Sequence, residues 1–123
     1  MEQLIIDRSK WRFGGPDLDR MFGKTRLLND EGYMCCLGFY CLQVGNMTSE
    51  DILGVPAPGN IGSYEGISKL VDSDNSNSLL TEAAIDINDD WDKGLSNEVR
   101  EEKLRYLFSS YEVDVKFVNE YPS

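Results

Sequence analysis

Histidine is absent from this chain of 123 residues. Its absence removes Ser/His and Cys/His catalysis, imidazole acid–base work and histidine-ligated metal sites together. Positive charge is scarce too: 12 lysines and arginines face 22 aspartates and glutamates, a formal net charge of −10. The deficit is uneven, because residues 1–61 hold eight acids and six bases whereas residues 62–123 hold fourteen acids and six bases. From Asp72 to Asp92 there are seven acids and no base. Nucleic-acid binding rests on Lys and Arg neutralising phosphates, so direct binding of nucleic acid through this segment is excluded. Cysteine is limited to Cys35, Cys36 and Cys41, an odd set crowded into one apolar run. A secreted domain of this size would show an even, spaced framework, so reduced, buried thiols in a cytoplasmic protein are the expectation. No apolar run reaches the roughly 20 residues that span a bilayer. No basic stretch precedes an apolar one at the start, so no signal peptide is expected.

What is present centres on Tyr33–Gly45, where Gln43 is the only strongly polar side chain. A helix that is apolar all round must be covered on every side. The run therefore predicts a buried core helix of about 18 Å at 1.5 Å per residue, with Gly45 as its left-handed stop. Leu4-Ile5-Ile6 reads as a short buried strand and Leu27-Leu28 as a second, brief one, with Asp17–Arg26 as loop or a turn of helix between them. Gly14-Gly15-Pro16 ends any regular element. Thr48-Ser49-Glu50-Asp51 has the form of a capping box opening a short helix, and Pro56, Pro58, Gly59 and Gly62 mark an irregular loop. The polar run ending at Ser78 feeds a helix over Leu79–Ile85, which Asn88-Asp89-Asp90 breaks. Ser96 caps an amphipathic helix in which Leu104, Leu107, Phe108 and Tyr111 form one stripe, with Glu102 and Arg105 as a surface pair. Val113–Val118 alternates as a half-exposed strand with Val113, Val115 and Phe117 inward. These elements predict a single α+β domain over residues 1–123. Its small sheet joins the N- and C-terminal strands and packs against the cysteine helix and the amphipathic C-terminal helix.

Candidate chemistry is thin. A cysteine nucleophile needs a cation or helix N-terminus to lower its pKa, yet Cys35 and Cys36 are flanked by Met34 and Leu37, and apolar burial acts the other way. Zinc would need a fourth ligand and a different spacing. Asp86–Asp92 alternates oxygen side chains like the first half of a calcium loop, but Trp91 stands where glycine is required and the closing acid falls one place late, at Glu98. No glycine-rich phosphate loop and no cofactor motif is present. Trp11 between Lys10 and Arg12 offers either a stacking platform for a nucleotide or a core-edge residue flanked by solvated cations. No residue set forms an acid–base or nucleophile constellation, so the chain is read as non-enzymatic.

The segments Ile6-Asp7-Arg8-Ser9-Lys10-Trp11-Arg12 with Gly14, Leu27-Leu28 and Met34-Cys35-Cys36-Leu37-Gly38-Phe39 resemble a family of small, mostly uncharacterised tailed-phage and prophage proteins. So do Asp51-Ile52, Ile87-Asn88-Asp89, Arg100-Glu101 with Leu107-Phe108, and the alternating Val113, Val115 and Phe117. The resemblance spans most of the chain, is weakest over residues 55–75, and implies origin rather than activity. A phage accessory protein without catalytic equipment is expected to bind stoichiometrically. The first expectation is inhibition of a host protein in the host cytoplasm, a defence factor such as a nuclease, whose basic surface meets an acidic one. The carboxylates expected to form that surface are Asp72, Asp74, Asp86, Asp89, Asp90, Asp92, Glu98, Glu101 and Glu102. The alternatives are a sponge sequestering a signalling nucleotide at Lys10, Trp11 and Arg12, and a structural virion or assembly component. An acidic segment that serves solubility alone is the plain reading beside all three.

Overall fold

Leu4 and Ile6 are buried between exposed neighbours along Glu2–Asp7 (β1), and Val113, Val115 and Phe117 repeat the pattern along Val113–Val118 (β4). Such alternation presents one face of a strand to a core. The structure, a computed structural model, describes residues 2–12, 20–21, 24–25, 27–29, 31–55, 57–61, 66–72, 74, 76–89 and 96–121. The two strands pair in parallel, Leu4 opposite Val115 and Ile6 opposite Phe117. Parallel neighbours need a crossover connection, and here nearly the whole chain supplies it. Between the strands lie Arg20–Met21 (β2), Lys24–Thr25 (β3), Cys36–Gln43 (α1), Ser49–Ile52 (α2), a 3₁₀ turn at Pro58–Asn60, Leu79–Asn88 (α3) and Asn97–Ser109 (α4). α1 packs on β1, α4 packs on β4, and α3 lies against both helices. This is the small α+β arrangement the sequence predicts, with its terminal strands side by side.

α1 is shorter than the apolar run that encodes it, eight residues or about 12 Å. Cys36 through Cys41 are all buried, so the helix is covered on every side. Its N-terminus begins late because Tyr33 and Met34 are spent elsewhere: Met34 N–H donates to Lys10 O and Arg12 N–H donates to Met34 O, at 2.9 and 2.8 Å. Its C-terminus turns at Asn46, which takes the left-handed conformation (φ 54°) expected of Gly45. Gly45 is needed for space instead, since a Cβ there would lie 2.6 Å from the Ile67 side chain. Gly38 is more tightly constrained: a Cβ would lie 1.9 Å from the Leu27 carbonyl oxygen, so only glycine lets that backbone approach the helix. Gln43 explains the one polar position of the run. Its Oε1 accepts from Ile5 N–H at 2.8 Å and its Nε2 donates to Ile5 O, so the amide pairs like a one-residue strand beside β1.

Two expectations are corrected. Leu27-Leu28 forms no strand, only an isolated bridge between Leu28 and Leu53, because Leu27 N–H goes to Val55 O and Leu28 O accepts from Gly54 N–H. The stretch read as loop holds β2 and β3, paired antiparallel with Arg20 opposite Thr25. Pairing so close in sequence is a local hairpin, and its mixed charge hides the alternation that reveals longer strands. Gly14-Gly15-Pro16, Pro56 and Gly62 lie outside the described residues.

The predicted caps are in place. Thr48 N–H donates to Asp51 Oδ2 at 3.0 Å at the start of α2, while Ser78 and Ser96 accept from Thr81 N–H and Val99 N–H, each at 3.2 Å, at the starts of α3 and α4. α4 buries Leu104 and Phe108 completely, and Phe108 stacks on Tyr40 of α1 with centroids 6.2 Å apart. Each such fully buried side chain contributes about 1.5–3 kcal/mol. Among the described residues no helix is long and apolar enough to cross a membrane.

Candidate functional site

All three thiols are buried and free. Burial pushes Cys35 and Cys41 up to about 12, and pushes Cys36 well above its usual value. None is ionised near neutral pH, and the thiolate is the reactive form. Among the described residues no group of cysteines and carboxylates is placed to hold a metal ion.

The polar side chains that do converge are inside. Asn88 closes α3, and its buried amide is a four-way junction. Oδ1 accepts from the indole Nε1–H of Trp11 at 2.7 Å and from Cys36 N–H at 3.0 Å, while Nδ2 donates to Arg12 O and to Asp89 Oδ1. One side chain thereby ties the segment after β1 to the N-terminus of α1 and the C-terminus of α3. With its oxygen already engaged by two donors, Asn88 is unsuited to the calcium loop that Asp86–Asp92 resembles. Asp90, Trp91 and Asp92, the rest of that stretch, lie outside the described residues.

A second junction holds α4 to the sheet. Arg8 donates through Nε and Nη2 to the two carboxylate oxygens of Glu101, both at 2.8 Å, and through Nη1 to Asn119 O at 2.9 Å. Tyr121 O–H donates to the same carboxylate, and Arg105 approaches it at 3.5 Å. Burial alone would raise the Glu101 carboxyl, but the Arg8 bonds, the Tyr121 hydroxyl and the charges of Arg8 and Arg105 outweigh it and hold it below its usual range. Arg8 is held above its usual value chiefly by the Glu101 bond, and burial, then Glu101, raise Tyr121. Asp7 accepts from Ser9 N–H, Ser9 O–H and Asn119 Nδ2, joining the ends of β1 and β4 and keeping its own carboxyl low.

The predicted binding residues divide accordingly. Glu101 is 6% exposed and committed to Arg8, so it is withdrawn from any acidic surface. Asp72, Asp74, Asp86, Glu98 and Glu102 are exposed and Asp89 is half-buried. Asp90 and Asp92 lie outside the described residues. Of the exposed five, only Glu102 makes an ion pair among the described residues, to Arg105 at 3.7 Å. Trp11 is 5% exposed, with Phe117 5.2 Å and Tyr121 6.3 Å from its ring, so it presents no open face to a base. The Arg12 guanidinium lies 4.6 Å from the Tyr33 ring centroid, and Lys10 stays exposed. Lys10, Trp11 and Arg12 thus take the core-edge arrangement rather than a stacking platform.

The sequence reading missed both junctions. Arg8 and Glu101 are 93 positions apart, and Trp11 and Asn88 are 77 apart. One signal was there: continuing the Leu104–Phe108 stripe back by three or four residues lands on Glu101 and Arg100, the side of the helix that faces the core. Arg100 is 3% exposed and donates from Nε to Ile87 O at 3.1 Å, placing positive charge at the C-terminus of α3.

The opposite side of α4 is open. A shallow groove of about 790 Å³ is lined there by Val99, Glu102, Lys103, Tyr106 and Leu107, with Ile87 of α3. No family model, no curated protein and no solved structure matches this chain.

Proposed function

We propose that this chain is a non-enzymatic accessory protein of a tailed phage or prophage that binds and inhibits a host protein, a defence factor such as a nuclease, in the host cytoplasm. The contact surface is the set of outward carboxylates Asp72, Asp74, Asp86 and Glu98, with the half-buried Asp89 beside Asp86. The supporting observation is the contrast in how acids are used: Glu101 is neutralised inside by Arg8, while Asp72, Asp74, Asp86 and Glu98 face solvent with no cation within ion-pair distance among the described residues. Unpaired surface charge of one sign gives specificity and fast association with a basic surface more than raw affinity.

Affinity capture from host cells, with and without infection, tests this reading. A basic host protein is expected to be retained at low salt and released as salt rises. Its retention is expected to fall at least about tenfold for a variant carrying Asp86→Lys and Glu98→Lys, a loss of about 1.4 kcal/mol. Equal retention by that variant, or recovery of the protein in purified virions with no host partner, would sink the proposal.

A further inference from the structure

Two aromatic rings among the described residues lie against Trp11, and they are held in different ways. Phe117 belongs to β4, which pairs with β1 along its length. Tyr121 belongs to Asn119–Tyr121, the segment that follows β4 and is tied to the end of β1. The described bonds on this segment all involve a side chain. Asn119 Nδ2 donates to Asp7 Oδ1 at 3.0 Å, Arg8 Nη1 donates to Asn119 O at 2.9 Å, and the Tyr121 hydroxyl donates to Glu101. Asn119 also takes the left-handed conformation (φ 64°), which costs free energy even though Asn tolerates it better than most residues.

The groups around this segment are secure without it. The Trp11 indole N–H is fastened to Asn88, and the backbone on either side bonds to Met34 through Lys10 O and Arg12 N–H. Arg8 supplies a donor at 2.8 Å to each carboxylate oxygen of Glu101. Asp7 keeps its bonds from Ser9, and Val118 O at the end of β4 keeps its bond from Arg8 N–H. A segment whose neighbours retain other partners when it leaves can open locally, without the rest of the fold.

We propose that Asn119–Tyr121 is a strap that opens as one unit about Asn119. Opening lifts Tyr121 off Trp11 and off Glu101 while β4, α4 and the Trp11 ring stay in place. Hinges of this kind sit at the ends of regular elements, where Asn119 is. The strap governs access to one face of Trp11. With the strap closed Trp11 is 5% exposed; with it open, a fixed aromatic face stands beside the exposed Lys10. The strap is independent of the host-partner reading, whose carboxylates make none of the bonds that hold it.

Acrylamide quenching of tryptophan fluorescence tests this, with Trp91→Phe as the background so that Trp11 is the only tryptophan. Quencher reaches a covered ring through the open state, so the quenching rate follows the opening equilibrium. Tyr121→Phe keeps the ring but removes the bond to the charged Glu101, and is expected to raise quenching about tenfold. Asn119→Ala removes the bond to Asp7, and its described bonds reach neither Trp11 nor Glu101. It is expected to raise quenching about fivefold, because the segment moves as a unit. Tyr121→Ala deletes the cover and sets the upper limit; should it fail to fold, the two milder variants decide alone. Exchange of the Trp11 indole N–H is expected to stay slow in Tyr121→Phe and Asn119→Ala, since Asn88 still holds it. Quenching of the parent as fast as that of Tyr121→Ala, or quenching unchanged in either milder variant, would overturn the strap. So would rapid indole exchange in a milder variant, which would show Trp11 leaving together with Tyr121.

Discussion

Glu101 and Glu102 are neighbours on α4, yet their environments share little. Glu101 is 6% exposed and receives two hydrogen bonds of 2.8 Å from Arg8. The Glu102 side chain is 75% exposed and meets Arg105 only at 3.7 Å. One residue of helix advance rotates a carboxylate by about 100°, which here is the difference between a structural ion and a surface one. An acid-rich segment is therefore not one object. Each carboxylate must be assigned by its side of the helix before it is counted towards a binding surface.

The largest expected effect breaks this comparison if it is absent. Glu101→Ala leaves the Arg8 guanidinium without its partner and should cost about 3 kcal/mol, the low end for a buried pair because the Arg8 side chain is 25% exposed. Glu102→Ala should stay within about 0.5 kcal/mol. Urea unfolding of both measures the contrast, and comparable losses would show the two faces to be energetically alike. The pH dependence sharpens it. The Glu101 carboxyl is held below its usual value in the folded state, so its stabilisation is fully present above the unfolded pKa of about 4.3 and is lost as pH falls through the folded value. The stability gap between wild type and Glu101→Gln should accordingly be widest at neutral pH and close on acidification.

Asn88→Ala is next. It strips the acceptor from Trp11 Nε1–H and Cys36 N–H, and two buried donors left unpaired should cost about 2 kcal/mol or more. Asp86→Ala, two residues earlier and exposed, should cost less than about 0.5 kcal/mol. The shift of the Trp11 indole proton in an NMR spectrum reports the loss of its partner independently of unfolding.

Sequence period and caps carried most of the scaffold. β4 alternates cleanly and α4 repeats its apolar stripe, because each is half-buried and the pattern records which half. Ser78 and Ser96 are legible for a local reason: a cap bonds within three residues. β1 was harder, since Ile5 is apolar yet 38% exposed. The pairings Arg8–Glu101 and Trp11–Asn88 were not legible, because polar pairs bridging distant segments leave no period that names the partner; only the inward side of Glu101 could be read, from the extended α4 stripe. The same limit governed the candidate site, where Trp11, offered either as a stacking platform or as a core-edge residue, is buried at the core edge while Lys10 stays exposed.

The two caps give a smaller effect that depends on burial. Ser96 is exposed and Ser96→Ala should cost about 1 kcal/mol. Ser78 is 7% exposed, and its hydroxyl also donates to Lys69 O at 2.8 Å, so Ser78→Ala should cost more than Ser96→Ala in the same urea titration.

The smallest effect is the one that bears on function. Glu98 lies in the first turn of α4, where a negative charge favours the helix dipole, whereas Asp86 lies in the last turn of α3, where it opposes it. Asp86→Asn should therefore stabilise by about 0.3 kcal/mol and Glu98→Gln should destabilise by a similar amount, opposite signs from the same chemistry. The α3 helix itself therefore does not account for the acid Asp86. If Asp86 meets a basic partner, Asp86→Asn will gain stability while losing retention of that partner; if both stability and retention are unchanged, the carboxylate serves solubility alone.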